Sequence, residues 1–494
     1  MNRLGFLTAA SATAALAGCA GGGGSTPVAP INAPPPVPPL PAGTMVADLR
    51  FGFSPTPAPF PGYDPAADAK ALILPGTPSP ATSAVPGTLA TGSYAANQRY
   101  VIKVPQNWNG KLVVAGTPAF RSEFANDAIW GDFALANGYA FASSNKGLKY
   151  NAIFEALAAS PDLSREFPVP FDYAGLETKK FGFRFGALAQ ATSIAAWNAD
   201  LAMLTTATQA FLKAYFGKLP ARTYAVGLSN GGAQVRSLLE RYGDLVDGGV
   251  DWSGVFWSQQ SNILTYMPKM LANMPAYVAS NFTDATSAAA IVAAGYPADI
   301  TQANPKDPSL WFEYYANQPS FYTDLTTFAY ALLLDPTATS SVSLNGCTPD
   351  ATNPTGLPGT CDATGLAVPK NRAAYVPSSG VASNIAAFEH TGAIAKPLVS
   401  IAGSADMFIT APNNAKPYLD RVVASGNGKK YWQYLVSGGT HVDTFAKLGY
   451  GLQPQLPFAW AAFKQLVAVV EGGFIPAGSG TQQTVATPDL IRSA

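Results

Sequence analysis

Apolar and polar positions follow two rhythms along the chain, and the rhythms alternate. Arg99-Tyr100-Val101-Ile102-Lys103-Val104 alternates as a strand does, Asn109-Gly110 has the chemistry of a hairpin turn, and Lys111 to Ala115 is a short apolar run that predicts a second strand. Tyr139 to Ser143 predicts a third. Between them, Ala125 to Asn137 carries Ile129, Trp130, Phe133 and Leu135 and stops at Gly138, the layout of a crossover helix. Trp197, Leu201, Leu204, Ala207, Phe211 and Tyr215 recur at spacings of three and four, which predicts a helix over 195–216. A buried strand follows at 224–227. The series continues with helix 233–242, strand 248–252, a long interruption, helix 382–390, strand 397–402, helix 411–424, strand 431–436 and helix 457–470. Strands alternating with helices predict an α/β fold, its mostly parallel sheet covered on both faces.

Composition sharpens this picture. At 494 residues the chain outruns the roughly 250–300 that one hydrophobic core can serve, so one large domain with an insertion is the economical reading. Thirty basic and thirty acidic side chains cancel, and only 12% of residues are charged, which argues against a nucleic-acid binder or a polybasic membrane patch. A hydrophobic content of 48% excludes wholesale disorder. Forty-six Gly and 42 Pro imply long or numerous loops.

The candidate chemistry starts where strand 224–227 meets helix 233–242, at Gly227-Leu228-Ser229-Asn230-Gly231. A serine there stands on a sharp strand-to-helix turn, with glycines on both sides because a Cβ would strike the turn's other arm. Its hydroxyl needs a base. The chain has two histidines, and His441, directly after the last predicted core strand, is on the same sheet edge as Ser229. His390 falls at the opposite edge, where a helix C-terminus would favour its charge. Asp406, just past strand 397–402 and 35 residues before His441, suits the carboxylate that orients the imidazole; Asp251 is its competitor, and Asp443 reads as a loop carboxylate. An oxyanion would be met by the N–H of Asn230 and by one from Gly116-Thr117-Pro118-Ala119. Pro118 has none to offer, Thr117 is the first choice and Ala119 the second. Two histidines are too few for a zinc site, and the chemistry needs no cofactor.

These motifs resemble the α/β-hydrolase superfamily over roughly residues 95–255 and 382–472, with nucleophile, acid and base in that superfamily's order. The resemblance implies an α/β-hydrolase fold and a serine esterase. Gly403-Ser404-Ala405-Asp406-Met407-Phe408-Ile409, with Pro412, Tyr418 and Val422, is more loosely similar to the acid loop of the tannase and feruloyl esterase group. That group has cysteines beside nucleophile and histidine, where this chain has Leu228 and Val442. Ser229-Asn230-Gly231-Gly232 is also similar to bacterial hydroxybutyrate-oligomer hydrolases.

Ser229 and Asp406 are 177 positions apart, far more than a strand–helix–strand passage needs, so residues 256–380 are expected to form a cap over the site. The cap is rich in aromatics, including Trp311, Phe312, Tyr314, Tyr315, Phe321, Tyr322, Phe328 and Tyr330. Many would make its own small core. Some would wall the pocket, with Trp311 among them and Trp252 and Trp257 at the rim, and would favour an apolar or aromatic acyl or alcohol group.

Arg3 precedes the apolar run Leu4 to Leu16, the layout of a secretory signal. The run closes on Leu16-Ala17-Gly18-Cys19, which resembles the lipobox of bacterial lipoproteins. That implies removal of residues 1–18, a lipid on Cys19, a membrane as partner and a mature charge of −1. Ala20 after the cysteine points to the outer membrane by analogy with sorting rules. Residues 19–45, rich in Gly and then Pro, read as a tether. Cys347 and Cys361 flank a Gly, Pro and Thr-rich stretch, and export would let them close a disulfide worth about 3 kcal/mol. The domain plan is then a core in two parts, 46–255 and 381–475, a cap at 256–380 and a tail at 476–494. The expected activity is hydrolysis of a small or oligomeric carboxylic ester through an acyl-enzyme. A peptidase or amidase on the same scaffold and a non-catalytic surface-binding lipoprotein are the alternatives.

Overall fold

The described residues form twelve strands. They are β1 (Met45–Leu49), β2 (Gly87–Ser93), β3 (Arg99–Pro105), β4 (Lys111–Gly116), β5 (Ala140–Ser144), β6 (Pro168–Pro170), β7 (Lys180–Gly182), β8 (Arg222–Leu228), β9 (Gly248–Trp252), β10 (Leu398–Gly403), β11 (Tyr431–Val436) and β12 (Gln482–Val485). The helices that position the site are α1 (Asp132–Ala136), α2 (Ile194–Phe216), α3 (Asn230–Arg241), α4 (Ile263–Ala279), α5 (Ala285–Ala293), α6 (Ser379–Ala386), α7 (Ala415–Ala424) and α8 (Leu456–Gly472). This is a computed structural model, and it describes residues 45–49, 69–70, 72–80, 85–93, 98–119, 121–147, 168–170, 180–182, 193–301, 309–312, 327, 330–331, 333–337 and 376–492. Cys19, Cys347 and Cys361, the signal, most of the tether and most of the cap aromatics lie outside the described residues.

Ten strands form one sheet in the order β1-β2-β3-β5-β4-β8-β9-β10-β11-β12, and β6 pairs with β7 apart from it. From β5 to β12 every pairing is parallel, while β1, β2 and β3 add an antiparallel margin. Alternate residues of the central strands serve two cores. Val113, Ala115, Tyr224, Val226, Val250 and Val399 face the layer of α1 and α8 with Phe133, Phe463 and Leu466. Leu112, Val114, Ala225 and Leu398 face the layer of α2, α3 and α7 with Leu204, Leu238 and Val422. A third cluster joins α4, α5 and α6 to Met407, Phe408 and Ile409, so the cap packs directly on the loop after β10.

Two expectations are corrected by this topology. Asn109-Gly110 does make a turn, with Gly110 at φ 81°, but β3 and β4 are not hairpin partners, because β5 lies between them. Its chemistry permits the reversal, whereas pairing is decided by α1, which returns β5 parallel to β4. Residues 482–485, read as part of a tail, instead form β12, parallel to β11 at the sheet's edge. The helix expected over 382–390 is α6, which ends at Ala386 and leaves His390 beyond it.

Candidate active site

Ser229 joins β8 to α3 with φ 60° and ψ −119°, a backbone that L-residues seldom adopt. The turn is this tight because three glycines meet there. A Cβ on Gly227 would stand 2.2 Å from Gly231 O, and one on Gly231 would stand 2.2 Å from Gly116 O. The start of α3 is thereby drawn against the ends of both β4 and β8, and Ser229 is lifted off the sheet's carboxyl edge. Its own N–H donates to Trp252 O at 2.9 Å, and its carbonyl accepts the N–H groups of Ala233 at 3.0 Å and Val255 at 3.2 Å.

Asp406 and His441 follow β10 and β11 at that same edge. The two loops are bound together: Ser404 N–H donates to Val436 O at 2.9 Å, Ala405 N–H to Gly439 O at 3.0 Å, and Gly438 N–H to Ser404 Oγ at 2.8 Å. Asp406 Oδ1 accepts the N–H groups of Phe408 and Ile409, both at 2.8 Å. Its Oδ2 lies 2.9 Å from His441 Nδ1. A carboxylate can only accept, so the imidazole proton sits on Nδ1 and leaves Nε2 as a base. Phe408 packs beside the ring, centroids 5.2 Å apart. Three strand spacings separate the end of β8 from that of β11, about 14 Å, and His441 stands five residues past Val436. Ser229 and His441 share the edge without being hydrogen-bonded to each other. Such contacts often close only when substrate is bound.

A strained serine after a parallel strand, with an acid and a histidine closing later strands in that order, defines the scaffold. The fold is an α/β-hydrolase fold.

The sequence matches no protein-family model and no curated protein. Solved structures to which the chain is similar include feruloyl esterase B from Aspergillus oryzae, at 12% identity, TM-score 0.44 and 87% coverage of each chain. An esterase from Aspergillus oryzae aligns at 13% identity and TM-score 0.43, again over 87% of each chain. Tannin acyl hydrolase from Aspergillus niger aligns at 13% identity and TM-score 0.37, over 89% of this chain and 86% of that one.

Within the hydrolase scaffold, several expected roles move. The Thr117 N–H donates to Gln234 Oε1 at 2.9 Å, its hydroxyl bonds Ser144 O, and its side chain is buried, so the first choice for an oxyanion donor is a structural anchor instead. Ala119, two residues on, is half-buried, with φ 42°. Trp252 is fully buried on the α1 and α8 side of the sheet, because side chains alternate along β9 and Asp251 takes the other face. Trp257 is fully buried between Tyr330 and Phe388, at centroid distances of 5.2 and 5.6 Å. Trp311 is buried against Tyr277 at 5.2 Å, with Nε1 donating to Pro297 O at 3.0 Å. All three tryptophans are buried, with their rings packed on protein.

The competitors for acid and base are also accounted for. Asp251 is bound by Arg236, with Nη2 at 2.6 Å and Nε at 2.7 Å, and by Ser400 Oγ at 3.0 Å. His390 is buried; its Nδ1 accepts the Trp257 N–H at 3.1 Å, which puts the proton on Nε2 beside Ala233 O at 3.2 Å and Ser237 Oγ at 3.3 Å. Burial, reinforced by the Arg236, Arg241 and Arg421 guanidiniums, holds this imidazole well below its ordinary range. The charged, helix-capping role expected of it is therefore replaced by a neutral cross-link. Asp443 accepts the N–H groups of Gln455 at 2.6 Å and Leu456 at 3.2 Å, pinning the histidine loop to the start of α8. Burial pushes its carboxyl up to about 7 in spite of those donors.

Side-chain contacts that the sequence could not indicate complete the site. Tyr330 Oη donates to Asn230 Oδ1 at 2.5 Å, and Asn230 Nδ2 donates to Ala119 O at 3.3 Å. Lys146 reaches the same loop from β5. Nothing in the periodicity marks Lys146 or Gln234, and Tyr330 stood out only as one of several cap aromatics; each gains its role from a neighbour distant in sequence. Among the described residues, no three His, Cys, Asp or Glu side chains gather as a metal site would require.

Proposed function

We infer that the protein is a serine hydrolase that cleaves carboxylic esters through an acyl-enzyme. The observation that carries this is the Asp406–His441 hydrogen bond at the sheet edge where Ser229 is held on its strained turn. In this reading Ser229 Oγ attacks the ester carbonyl as His441 Nε2 takes its proton, and Asp406 stabilises the imidazolium that results. The developing oxyanion is met by the backbone N–H of Asn230, at the positive end of α3, and by that of Ala119. Collapse expels the alcohol, which receives the proton from His441. Water then attacks the acyl group by the same route, so atoms and charge balance over the two steps. An apolar acyl or alcohol preference rests on Phe408 beside His441 and Tyr330 beside Asn230, in place of the tryptophans.

Ser229 is expected to react with a fluorophosphonate probe and Ser229→Ala is not. Labelling retained in the variant, or absent from the intact protein, would falsify the assignment. Parallel assays on p-nitrophenyl esters and p-nitroanilides separate esterase from peptidase or amidase, and ester turnover should be the larger. The N-terminal sequence further supports export and lipid attachment at Cys19, with the catalytic domain held off the membrane by the tether.

A further inference from the structure

Lys146 is a buried lysine beside the loop that follows β4. It lies just past β5 with φ 61°, its side chain almost without exposure. Its Nζ donates to Thr117 O at 2.8 Å and also to Ala119 O, and it sits 4.5 Å from the centroid of the Trp197 ring. Burial strips the amine of its water, and the two carbonyls are the acceptors that take the water's place.

The two carbonyls it binds belong to the peptides on either side of the one that carries the Ala119 N–H. With the flanking peptides clamped, the plane between them has little freedom. The second clamp on Ala119 O is Asn230 Nδ2, from the residue after the nucleophile. Ala119 itself holds φ 42°, a backbone that a non-glycine residue seldom adopts and that persists only where its surroundings impose it.

We propose that Lys146 is a positioning residue for the oxyanion site: by binding the carbonyls of Thr117 and Ala119 it fixes the peptide between them, so that the Ala119 N–H faces the carbonyl attacked by Ser229. This rests on the hydrolase reading above and extends it. Burial drives the lysine well below its usual range while nearby Asp200 works against that shift. A neutral amine still carries two N–H donors, enough for both carbonyls.

The test compares Lys146→Met and Lys146→Gln with the wild type, using a p-nitrophenyl ester and a trifluoromethyl ketone of matching acyl chain, which becomes an oxyanion on the serine. In whichever variant folds, kcat should fall about 100-fold with KM within threefold, and ketone affinity should fall in parallel with kcat. The Gln variant, keeping one donor, should lose less than the Met variant. Unchanged kcat in a folded variant overturns the proposal, as does a loss confined to KM. If neither variant folds, the lysine serves the fold and the proposal is likewise overturned. A wild type that neither hydrolyses esters nor takes the fluorophosphonate would instead remove the hydrolase reading, and this inference with it.

Discussion

At Ser229 the φ of 60° is a local cost of about 1–3 kcal/mol, and it is tolerated because the Gly116–Gly227–Gly231 contact allows no roomier turn. The glycines and the serine could be read from the sequence, since the collision they avoid is local. His390 shows the other case. Its position near a helix end suggested a charged imidazole, yet the tertiary fold buries it among three arginines and keeps it neutral. The pH dependence follows in sign from that. In the unfolded chain the imidazole takes a proton near 6.5, while in the folded protein it does not, so the unfolded state binds more protons as pH falls. Stability should therefore drop by about 1.4 kcal/mol per unit below pH 6.5 on this group's account. His390→Gln, which can keep one of the hydrogen bonds, should be less stable at pH 7.5 and show a shallower decline below 6.5. Urea midpoints taken from pH 4.5 to 7.5 would reveal this; an undiminished slope would remove His390 as its source.

Among the elements, the strand period was legible over most of the core because β4, β5, β8, β9, β10 and β11 bury nearly every residue, and helices such as α2 and α8 bury residues at spacings of three and four. Strand pairing was not legible. Nothing in Asn109-Gly110 reports that β5 will lie between β3 and β4, since that depends on where α1 packs. The cap is a similar case. Many of its aromatics were expected to form its own core and some, Trp257 and Trp311 among them, to wall or rim the pocket, but both of these are buried in the cluster where the cap meets the sheet domain. Among the described residues the cap's polar contacts with the site include Tyr330 to Asn230 Oδ1 and Tyr266 to the Phe408 carbonyl. Tyr330→Phe removes that hydrogen bond at nearly constant volume and leaves the Asn230 amide less well held. We expect kcat to fall about fivefold, in keeping with a hydrogen bond of about 1 kcal/mol, with a melting temperature within a few degrees of wild type. A steady-state comparison giving equal kcat for the two proteins would show that the cap does not tune the oxyanion site.

For the molecule as a whole, the lipobox-like Cys19 makes a prediction independent of the fold: cells fed radiolabelled palmitate should transfer label to the wild type and not to Cys19→Ala, which should leave the membrane fraction. Label persisting in the variant would refute the anchor. The sequence by itself determined the alternation of strands and helices, the serine turn, and the order serine, aspartate, histidine, because these depend on residue type and spacing within a few turns of chain. Only the tertiary structure decided that β12 completes the sheet, that Thr117 spends its N–H on Gln234 and leaves Ala119 as the candidate donor, and that Lys146 and Tyr330 approach the site. Each of those depends on which distant surfaces come into contact. A hydrogen-bond donor has no role until its acceptor is beside it, and burial is a property of the packed chain.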